Sequence, residues 1–117
     1  MSQLQKLLFI CGRNRHRSLT AERLFEGIDG YAVKSAGVER DARKRVRSDH
    51  IEWADLIFVM ELEHAQKLRS KFKQEISGKR VICLNVPDTY GYMNLGLIKL
   101  LKNKLGEYLE LPARTSS

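Results

Sequence analysis

The feature of this sequence that most limits its fold is the alternation of short apolar runs with longer amphipathic segments. The apolar runs are four to five residues long and cover positions 6–10, 31–34, 56–60 and 81–84. Runs this short indicate buried strands, and buried strands without polar alternation are typical of parallel sheets. We therefore predict an α/β fold, a three-layer sandwich with a four-stranded parallel sheet and helices on both faces.

Three segments between and after these strands show apolar residues at helical spacing. They begin at Ser18, Glu61 and Leu95, and we expect them to end near positions 28, 72 and 109. In the second segment the predicted buried face consists of Leu62, Ala65, Leu68 and Phe72. A chain of 117 residues is long enough for one core, so we predict a single domain over 1–117, with a frayed tail at 112–117.

The charge of the chain bears on its partners. Lys and Arg number 21 against 14 Asp and Glu, a formal charge of +7, which predicts an anionic partner. Ten of the basic residues and only five of the acidic ones lie in positions 11–47. The stretch from Val38 to Ser48 is either a solvated basic loop or a surface that faces phosphate groups. Neither a membrane span nor a secretory leader is apparent, and two cysteines suit a reducing compartment, so we expect a cytoplasmic protein.

The loop after the first predicted strand has the form C-x5-R-S, from Cys11 to Ser18. Five intervening residues allow the chain to curl so that successive backbone N–H groups point at one anion, and the following helix adds its N-terminus. Arg17 would close this nest with a bidentate guanidinium contact. Inorganic phosphate or sulfate would fit there. The predicted phosphate-binding residues are Gly12, Arg13, Asn14, Arg15, His16, Arg17 and Ser18.

Cys11 is the predicted nucleophile of this loop. The helix N-terminus and Arg17 favour its thiolate form, which can attack phosphorus. Ser18 can donate a hydrogen bond to the sulfur, and Asn14 falls where a tight curl needs a positive φ, which asparagine tolerates. Otherwise Cys11 is a small buried residue at a strand end that meets Arg17 and Ser18 by coincidence.

Asp88 follows the fourth predicted strand and is the candidate general acid. A leaving oxygen needs a proton and a water must later be activated, and one carboxyl group can do both. The carboxyl ends of parallel strands meet at one edge of the sheet, so Asp88 would face Cys11. The segment 87–91 is also a good turn sequence by itself. Tyr90 and Tyr92 either wall the mouth of a pocket or cover the sheet edge.

With these motifs the chain resembles the low-molecular-weight protein tyrosine phosphatases, especially a short bacterial branch of that superfamily. The resemblance runs over nearly the whole chain and rests on four segments: Cys11 to Ser18, Ser35-Ala36-Gly37, Asp55 to Met60, and Asp88 with Tyr90. It implies the same catalytic roles for Cys11, Arg17 and Asp88. It also implies that a hydrogen bond between Asn14 and Ser35 holds the loop, that Ser18 stabilises the thiolate, and that Tyr90 lies beside the leaving group.

The departures from the family pattern concern the substrate side of the site. The family usually has an apolar residue four positions after the nucleophile, and here it is Arg15. A second cysteine often precedes the clamp arginine, and here the residue is His16. Proline commonly follows the acid, and here it is Thr89. The segment between the second and third strands is short and basic.

The resulting prediction is a cysteine-dependent phosphomonoesterase, a protein tyrosine phosphatase by resemblance, that forms a cysteinyl-phosphate and needs no cofactor. Its partner would be a phosphotyrosine protein or another phosphomonoester. The alternatives are an arsenate reductase on the same fold, for which only Cys83 is available as a further thiol, and a non-catalytic binder of phosphate or nucleic acid. No metal site is predicted, because the histidines are isolated and suit surface or loop positions. Those histidines are His16, His50 and His64. We expect Cys83 and Trp53 to be buried for structural reasons.

Overall fold

Strands and helices alternate along the computed structural model, which describes residues 4–111. In chain order its elements are β1 (Gln5–Cys11), α1 (Arg17–Phe25), β2 (Tyr31–Gly37), α2 (Ser48–Trp53), β3 (Leu56–Val59), α3 (Leu62–Lys71), α4 (Lys73–Ile76), β4 (Arg80–Cys83) and α5 (Leu95–Leu105). The tail predicted at 112–117 lies outside the described residues. The short helix α4 was not predicted.

The four strands form one parallel sheet in the order β2-β1-β3-β4. Cys11 lies opposite Gly37 in β2, Leu8 lies opposite Ile57 in β3, and the register continues to β4. β1 is fully buried from Leu7 onward because it has a neighbour on each side and a helical layer on each face. The predicted parallel sheet is confirmed.

Successive side chains of β1 point to opposite faces of the sheet and so enter two separate cores. Phe9 packs with residues of α1 and α5, among them Phe25 and Leu101. Ile10 packs with residues of α2 and α3, among them Ile51 and Leu68. The helices therefore cover both faces, which confirms the three-layer sandwich.

Three predicted helix features are wrong in detail. α5 ends at Leu105, where Gly106 follows, rather than near position 109. α1 ends at Phe25 rather than near position 28, because Gly27 adopts a φ of 77° and turns the chain. The predicted buried face of α3 included Leu62, which is 58% exposed, whereas His64 is only 3% exposed. The imidazole of His64 folds back under the first turn, where its Nδ1 accepts a hydrogen bond from the N–H of Glu61 at 3.1 Å.

The side chains expected to be structural are only partly buried. Trp53 packs against the core beneath α2 and α3, and the Nζ of Lys34 lies 4.6 Å from the centre of one of its rings. Cys83 also packs against that core and is half-buried.

None of the helices within residues 4–111 combines the length and the apolar character that a membrane crossing requires.

Candidate active site

The candidate site lies at the carboxyl edge of the sheet, where the chain order reverses between β1 and its neighbours. In open parallel sheets this is the position of ligand sites. A cavity of about 890 Å³ opens there between the loops that follow β1, β3 and β4. Of the predicted residues, those that line it are Cys11, Gly12, Arg13, Arg15, His16, Arg17, Asp88 and Tyr90.

Asn14 braces the loop that follows β1 from beneath. Its φ is 57°, as predicted, and its Nδ2 donates hydrogen bonds to Ser18 Oγ and Ser35 Oγ, both at 2.8 Å. All three residues are fully buried and none lines the cavity. The predicted bond between Asn14 and Ser35 is present, whereas the side chains of Asn14 and Ser18 support the loop rather than face the phosphate position.

The sulfur of Cys11 receives two hydrogen bonds at the floor of the cavity. The backbone N–H of Asn14 donates to Sγ at 3.2 Å, and Ser18 Oγ lies 2.9 Å away. Because Asn14 Nδ2 already donates to Ser18 Oγ, the hydroxyl proton of Ser18 is free to point at the sulfur. Both donors are placed to hydrogen-bond the sulfur when it carries negative charge.

The guanidinium of Arg17 is buried and held at one end. Its Nη1 donates to Glu61 Oε2 at 2.5 Å and to the carbonyl of Val86 at 2.7 Å. Its Nε lies 3.7 Å from Asp88 Oδ1, and within residues 4–111 its Nη2 has no hydrogen-bond partner. The Nε–Nη2 edge is therefore the one left for a bidentate contact with an anion.

Asp88 lies in the same cavity as Cys11 and Arg17, as its position after β4 predicted. Its side chain is 66% exposed, so it can exchange protons with water. Tyr90 lines the cavity, whereas Tyr92 does not and instead accepts a hydrogen bond from Arg23 Nε at 3.2 Å. Of the two tyrosines, Tyr90 therefore has the predicted position on the pocket wall.

Four ionisable residues of the cavity wall were missed from the sequence: Glu39, Glu61, Glu63 and His64. The surface or loop position expected for His64 is wrong, because the side chain is buried. Burial lowers the pKa of His64 below 6.5 and the charge of Arg17 lowers it further, against the opposing charge of Glu61. With Nδ1 accepting from the Glu61 N–H, the neutral ring carries its proton on Nε2. A helix start with Glu61 and His64 three residues apart resembles a capping box, and that spacing could have revealed the pair.

Arg43, in the basic segment, forms hydrogen bonds that hold the same loop. No feature of the sequence indicated this role for Arg43. Its Nη2 donates to Asn14 Oδ1 at 2.9 Å and its Nε donates to the carbonyl of Asn14 at 3.1 Å. Its backbone N–H also donates to the carbonyl of Arg13 at 2.9 Å. The hydroxyl of Ser35 donates in turn to Glu22 Oε1, so the support of the loop extends into α1.

Three solved structures that share this arrangement of strands and helices have 19% to 23% sequence identity to this chain. The tyrosine phosphatase Wzb from Escherichia coli K30, in complex with phosphate, matches with a TM-score of 0.73 and 19% identity over 91% of this chain and 96% of that one. A low-molecular-weight protein tyrosine phosphatase from T. tengcongensis gives 0.69 and 23% over 90% and 99%. The YwlE arginine phosphatase from Geobacillus stearothermophilus gives 0.62 and 21% over 91% and 98%.

The chain has the low-molecular-weight protein tyrosine phosphatase fold. No family model and no curated protein matches its sequence. The likeness to these phosphatases is therefore one of three-dimensional structure, and it covers nine-tenths of the chain.

On this phosphatase fold the cavity is closer to electrical balance than the sequence suggested. It is lined by three arginines, Arg13, Arg15 and Arg17, and by four carboxylates, Glu39, Glu61, Glu63 and Asp88. Lys67 lies 2.9 Å from Glu39 and 3.7 Å from Glu63, which partly offsets their charge. Most of the basic segment does not line this cavity.

The two cysteines of this phosphatase fold lie on opposite faces of the sheet. Cys11 belongs to the core beneath α1 and α5, and Cys83 packs against the core beneath α2 and α3. β4 is separated from β1 by β3, a displacement of roughly 10 Å at the usual strand spacing. A disulfide needs Cα atoms within about 7 Å, so these two thiols are not placed to pair.

Proposed function

We propose that this chain is a cysteine-dependent phosphomonoesterase that acts on phosphotyrosine in proteins. The observation that carries the proposal is the sulfur of Cys11, which accepts two hydrogen bonds at the floor of a cavity shared with Arg17 and Asp88. A nucleophile, an anion clamp and a carboxyl group thus meet in one place, as phosphoryl transfer through a covalent intermediate requires.

In the first step the thiolate of Cys11 attacks phosphorus, and the bond from phosphorus to the substrate oxygen breaks. Asp88 donates its proton to that leaving oxygen. The Nε–Nη2 edge of Arg17 and the backbone N–H groups of the loop hold the phosphoryl oxygens throughout. The product of this step is a cysteinyl-phosphate and the free hydroxyl compound.

In the second step a water oxygen attacks phosphorus, and the Asp88 carboxylate accepts a proton from that water molecule. The sulfur–phosphorus bond breaks, inorganic phosphate leaves, and the hydroxyl of Ser18 stabilises the returning thiolate of Cys11. Structures with this fold support an anion at this place, since Wzb has been solved with phosphate, with sulphate and with benzylphosphonate. A YwlE arginine phosphatase mutant carries a phosphorylated active-site serine, which supports the covalent step.

The catalytic test compares p-nitrophenyl phosphate, whose leaving group is good, with phenyl phosphate, whose leaving group is poor. Cys11→Ser should abolish turnover of both and still bind inorganic phosphate in calorimetry. Asp88→Asn should slow phenyl phosphate much more than p-nitrophenyl phosphate. Asp41→Asn is the matched control, because Asp41 is an exposed partner of Arg13 that does not line the cavity.

Two results would contradict this function. Full activity of Cys11→Ser would show that Cys11 is not the nucleophile. An equal effect of Asp88→Asn on both substrates would show that Asp88 is not the general acid. A panel of phosphotyrosine, phosphoserine and phosphoarginine peptides then tests the substrate class. Tyr90 on the cavity wall favours an aromatic leaving group.

We also propose a cytoplasmic location, since a thiolate nucleophile must be kept reduced. A single domain over residues 1–117 is proposed as well.

Arsenate reduction is not favoured by the positions of the two cysteines. That chemistry relays a disulfide from the attacking cysteine to another thiol. Cys83 is on the opposite face of the sheet from Cys11, so the relay would need a thiol from another molecule.

A further inference from the structure

A second concave surface lies beside α2, apart from the catalytic cavity. It has a volume of about 700 Å³ and is lined by Lys44, Arg45, Arg47, Asp49 and His50. We call this surface the basic cleft. It shares no lining residue with the catalytic cavity.

The side chains of the basic cleft leave most of its positive charge unpaired. Lys44 and Arg45 are exposed, and neither forms an ion pair with any residue in the range 4–111. Arg47 Nε lies 3.7 Å from Asp49 Oδ1, but both of these side chains are more than two-thirds exposed. Three cations therefore face one carboxylate, and exposed pairs of this kind are weak.

The backbone of the basic cleft is fixed, which separates it from a loosely solvated basic loop. The N–H of Gly37 donates to the carbonyl of Lys44 at 2.8 Å, and the N–H of Val46 donates back to the carbonyl of Gly37 at 2.9 Å. Val46 is only 5% exposed. The segment is thus bridged to the end of β2, and a fixed surface loses less entropy on binding than a mobile one.

His50 contributes shape to the basic cleft rather than charge. Burial lowers its pKa below 6.5, Asp49 opposes this, and Lys34, Lys44 and Arg47 lower the pKa further. Its Nδ1 accepts a hydrogen bond from the N–H of Arg47 at 2.9 Å. The positive charge offered to a ligand at neutral pH therefore belongs to Lys44, Arg45 and Arg47.

The basic cleft begins at Lys44, one residue after Arg43, which contacts the catalytic loop. Arg43 donates from its backbone to the carbonyl of Arg13 and from its side chain to Asn14, and Lys44 follows it directly. An extended peptide advances about 3.3 Å per residue, so residues a few positions from a bound phosphotyrosine can reach this surface. A peptide that runs from the cavity past Arg43 would then occupy both the cavity and the basic cleft.

We infer that the basic cleft docks acidic residues that flank the phosphorylated residue of a protein substrate. This inference rests on the phosphatase function proposed above and names the substrate class more narrowly. A protein is favoured over a nucleic acid because the cavity wall carries Glu39, Glu61 and Glu63, which would repel a continuous line of phosphates. A peptide can instead confine its negative charge to the phosphate and to the stretch that meets the cleft.

The aromatic content of the region points the same way. Trp53 is the aromatic residue of α2, and the Nζ of Lys34 already lies over one of its rings at 4.6 Å. Binders of single-stranded nucleic acid stack bases on open aromatic faces, and this face is occupied.

The experiment uses two phosphotyrosine peptides that are identical except for Asp and Glu against Asn and Gln at the flanking positions. The test variant is Lys44→Gln/Arg45→Gln/Arg47→Gln. The matched control, Lys99→Gln/Lys102→Gln/Lys104→Gln, removes the same charge from α5, which covers the opposite face of the sheet. Values of kcat/KM are divided by those for p-nitrophenyl phosphate, so that a damaged active site is recognised.

The wild-type protein should prefer the acidic peptide by about 3- to 10-fold at low ionic strength, and the preference should shrink as salt screens the charges. The test variant should lose this preference and the control should keep it. No preference in the wild type, or a preference that survives in the test variant, would overturn the inference. So would stronger competition by an oligonucleotide of equal charge than by the acidic peptide.

The failure of this inference is distinct from the failure of the proposed function. Turnover of p-nitrophenyl phosphate with equal rates for the two peptides rejects the basic cleft as a docking site and leaves the phosphatase function in place. Absence of turnover for p-nitrophenyl phosphate and for both peptides rejects the function, and the inference with it.

Discussion

Glu61 binds Arg17 through Nη1 at 2.5 Å and so leaves the other edge of the guanidinium for the substrate. The carbonyl of Val86 accepts a second hydrogen bond from the same nitrogen at 2.7 Å, which fixes the plane of the group. Glu61 is therefore a positioning residue for the anion clamp. Its own charge also lies close to the expected phosphate, and the two effects oppose each other in binding.

We expect Glu61→Ala to lower kcat/KM for p-nitrophenyl phosphate about tenfold, which corresponds to roughly 1.4 kcal/mol of lost transition-state stabilisation. Glu61→Gln should restore most of this activity, because its amide oxygen can still accept the hydrogen bond from Arg17. Glu63→Ala, two residues further along the same wall, is the control and should change kcat/KM little. Equal losses in the Ala and Gln variants would show that the charge of Glu61, and not its hydrogen bond, is what matters.

Arg43→Ala should destabilise the protein and slow catalysis together. The two oxygens of Asn14 that accept from Arg43 lose their donors, at a cost of about 1–2 kcal/mol in the free energy of unfolding measured with urea. Turnover should fall because the loop that holds Cys11 is less fixed. Arg40→Ala removes the same charge from an exposed position and should leave both quantities unchanged; a matching loss there would assign the effect to net charge.

Gly37→Ala should displace the catalytic loop by a direct clash. A Cβ atom at this position would lie 2.4 Å from the carbonyl oxygen of Gly12 and 2.7 Å from the Cβ of Ala42. We expect a loss of about 1–3 kcal/mol in the free energy of unfolding and a fall in turnover. Gly91→Ala meets no atom within 4 Å and is the control for stability. Native stability in Gly37→Ala would mean that the segments of Gly12 and Ala42 can move away from Gly37 at little cost.

The pH dependence of stability should report the buried imidazole of His64. Its pKa in the folded protein lies below the unfolded value of about 6.5, so the unfolded chain takes up the proton first as the pH falls. The free energy of unfolding should therefore decrease as the pH drops below about 7, and should not depend on this group above that. Urea unfolding of the wild type and of His64→Asn between pH 5 and pH 8 measures the difference.

His64→Asn should give the flatter profile, because the asparagine oxygen can accept from the N–H of Glu61 without titrating. His50 has a lowered pKa as well and is present in both proteins, so its contribution cancels in the comparison. Parallel profiles for the two proteins would mean that His64 is protonated as easily in the fold as in the unfolded chain.

The parts of the fold that could be predicted are those with a local signal. Four short apolar runs gave the strands of a parallel sheet, and the spacing of Cys11, Arg17 and Ser18 indicated the anion-binding loop. The position of Asp88 after the last strand placed it at the same edge. The site residues that escaped prediction, Glu61, His64 and Arg43, act through contacts with residues 29 and 44 positions away or through burial that only the assembled layers create. Charge patterning alone could not show that the pocket holds four carboxylates.

The loop that carries Asp88 is tied to the helix that follows the nucleophile. The N–H of Met93 donates to Thr20 Oγ1 at 3.0 Å, and Met93 has a φ of 58°, a conformation that a side chain with a Cβ adopts at a cost of about 1–2 kcal/mol. α1 begins at Arg17, and Ser18 Oγ in its first turn lies 2.9 Å from the sulfur of Cys11, so this helix links the loop of the acid to the clamp and to the nucleophile. Thermal motion should then carry them together, and the rate of turnover should be insensitive to solvent viscosity until product release becomes limiting.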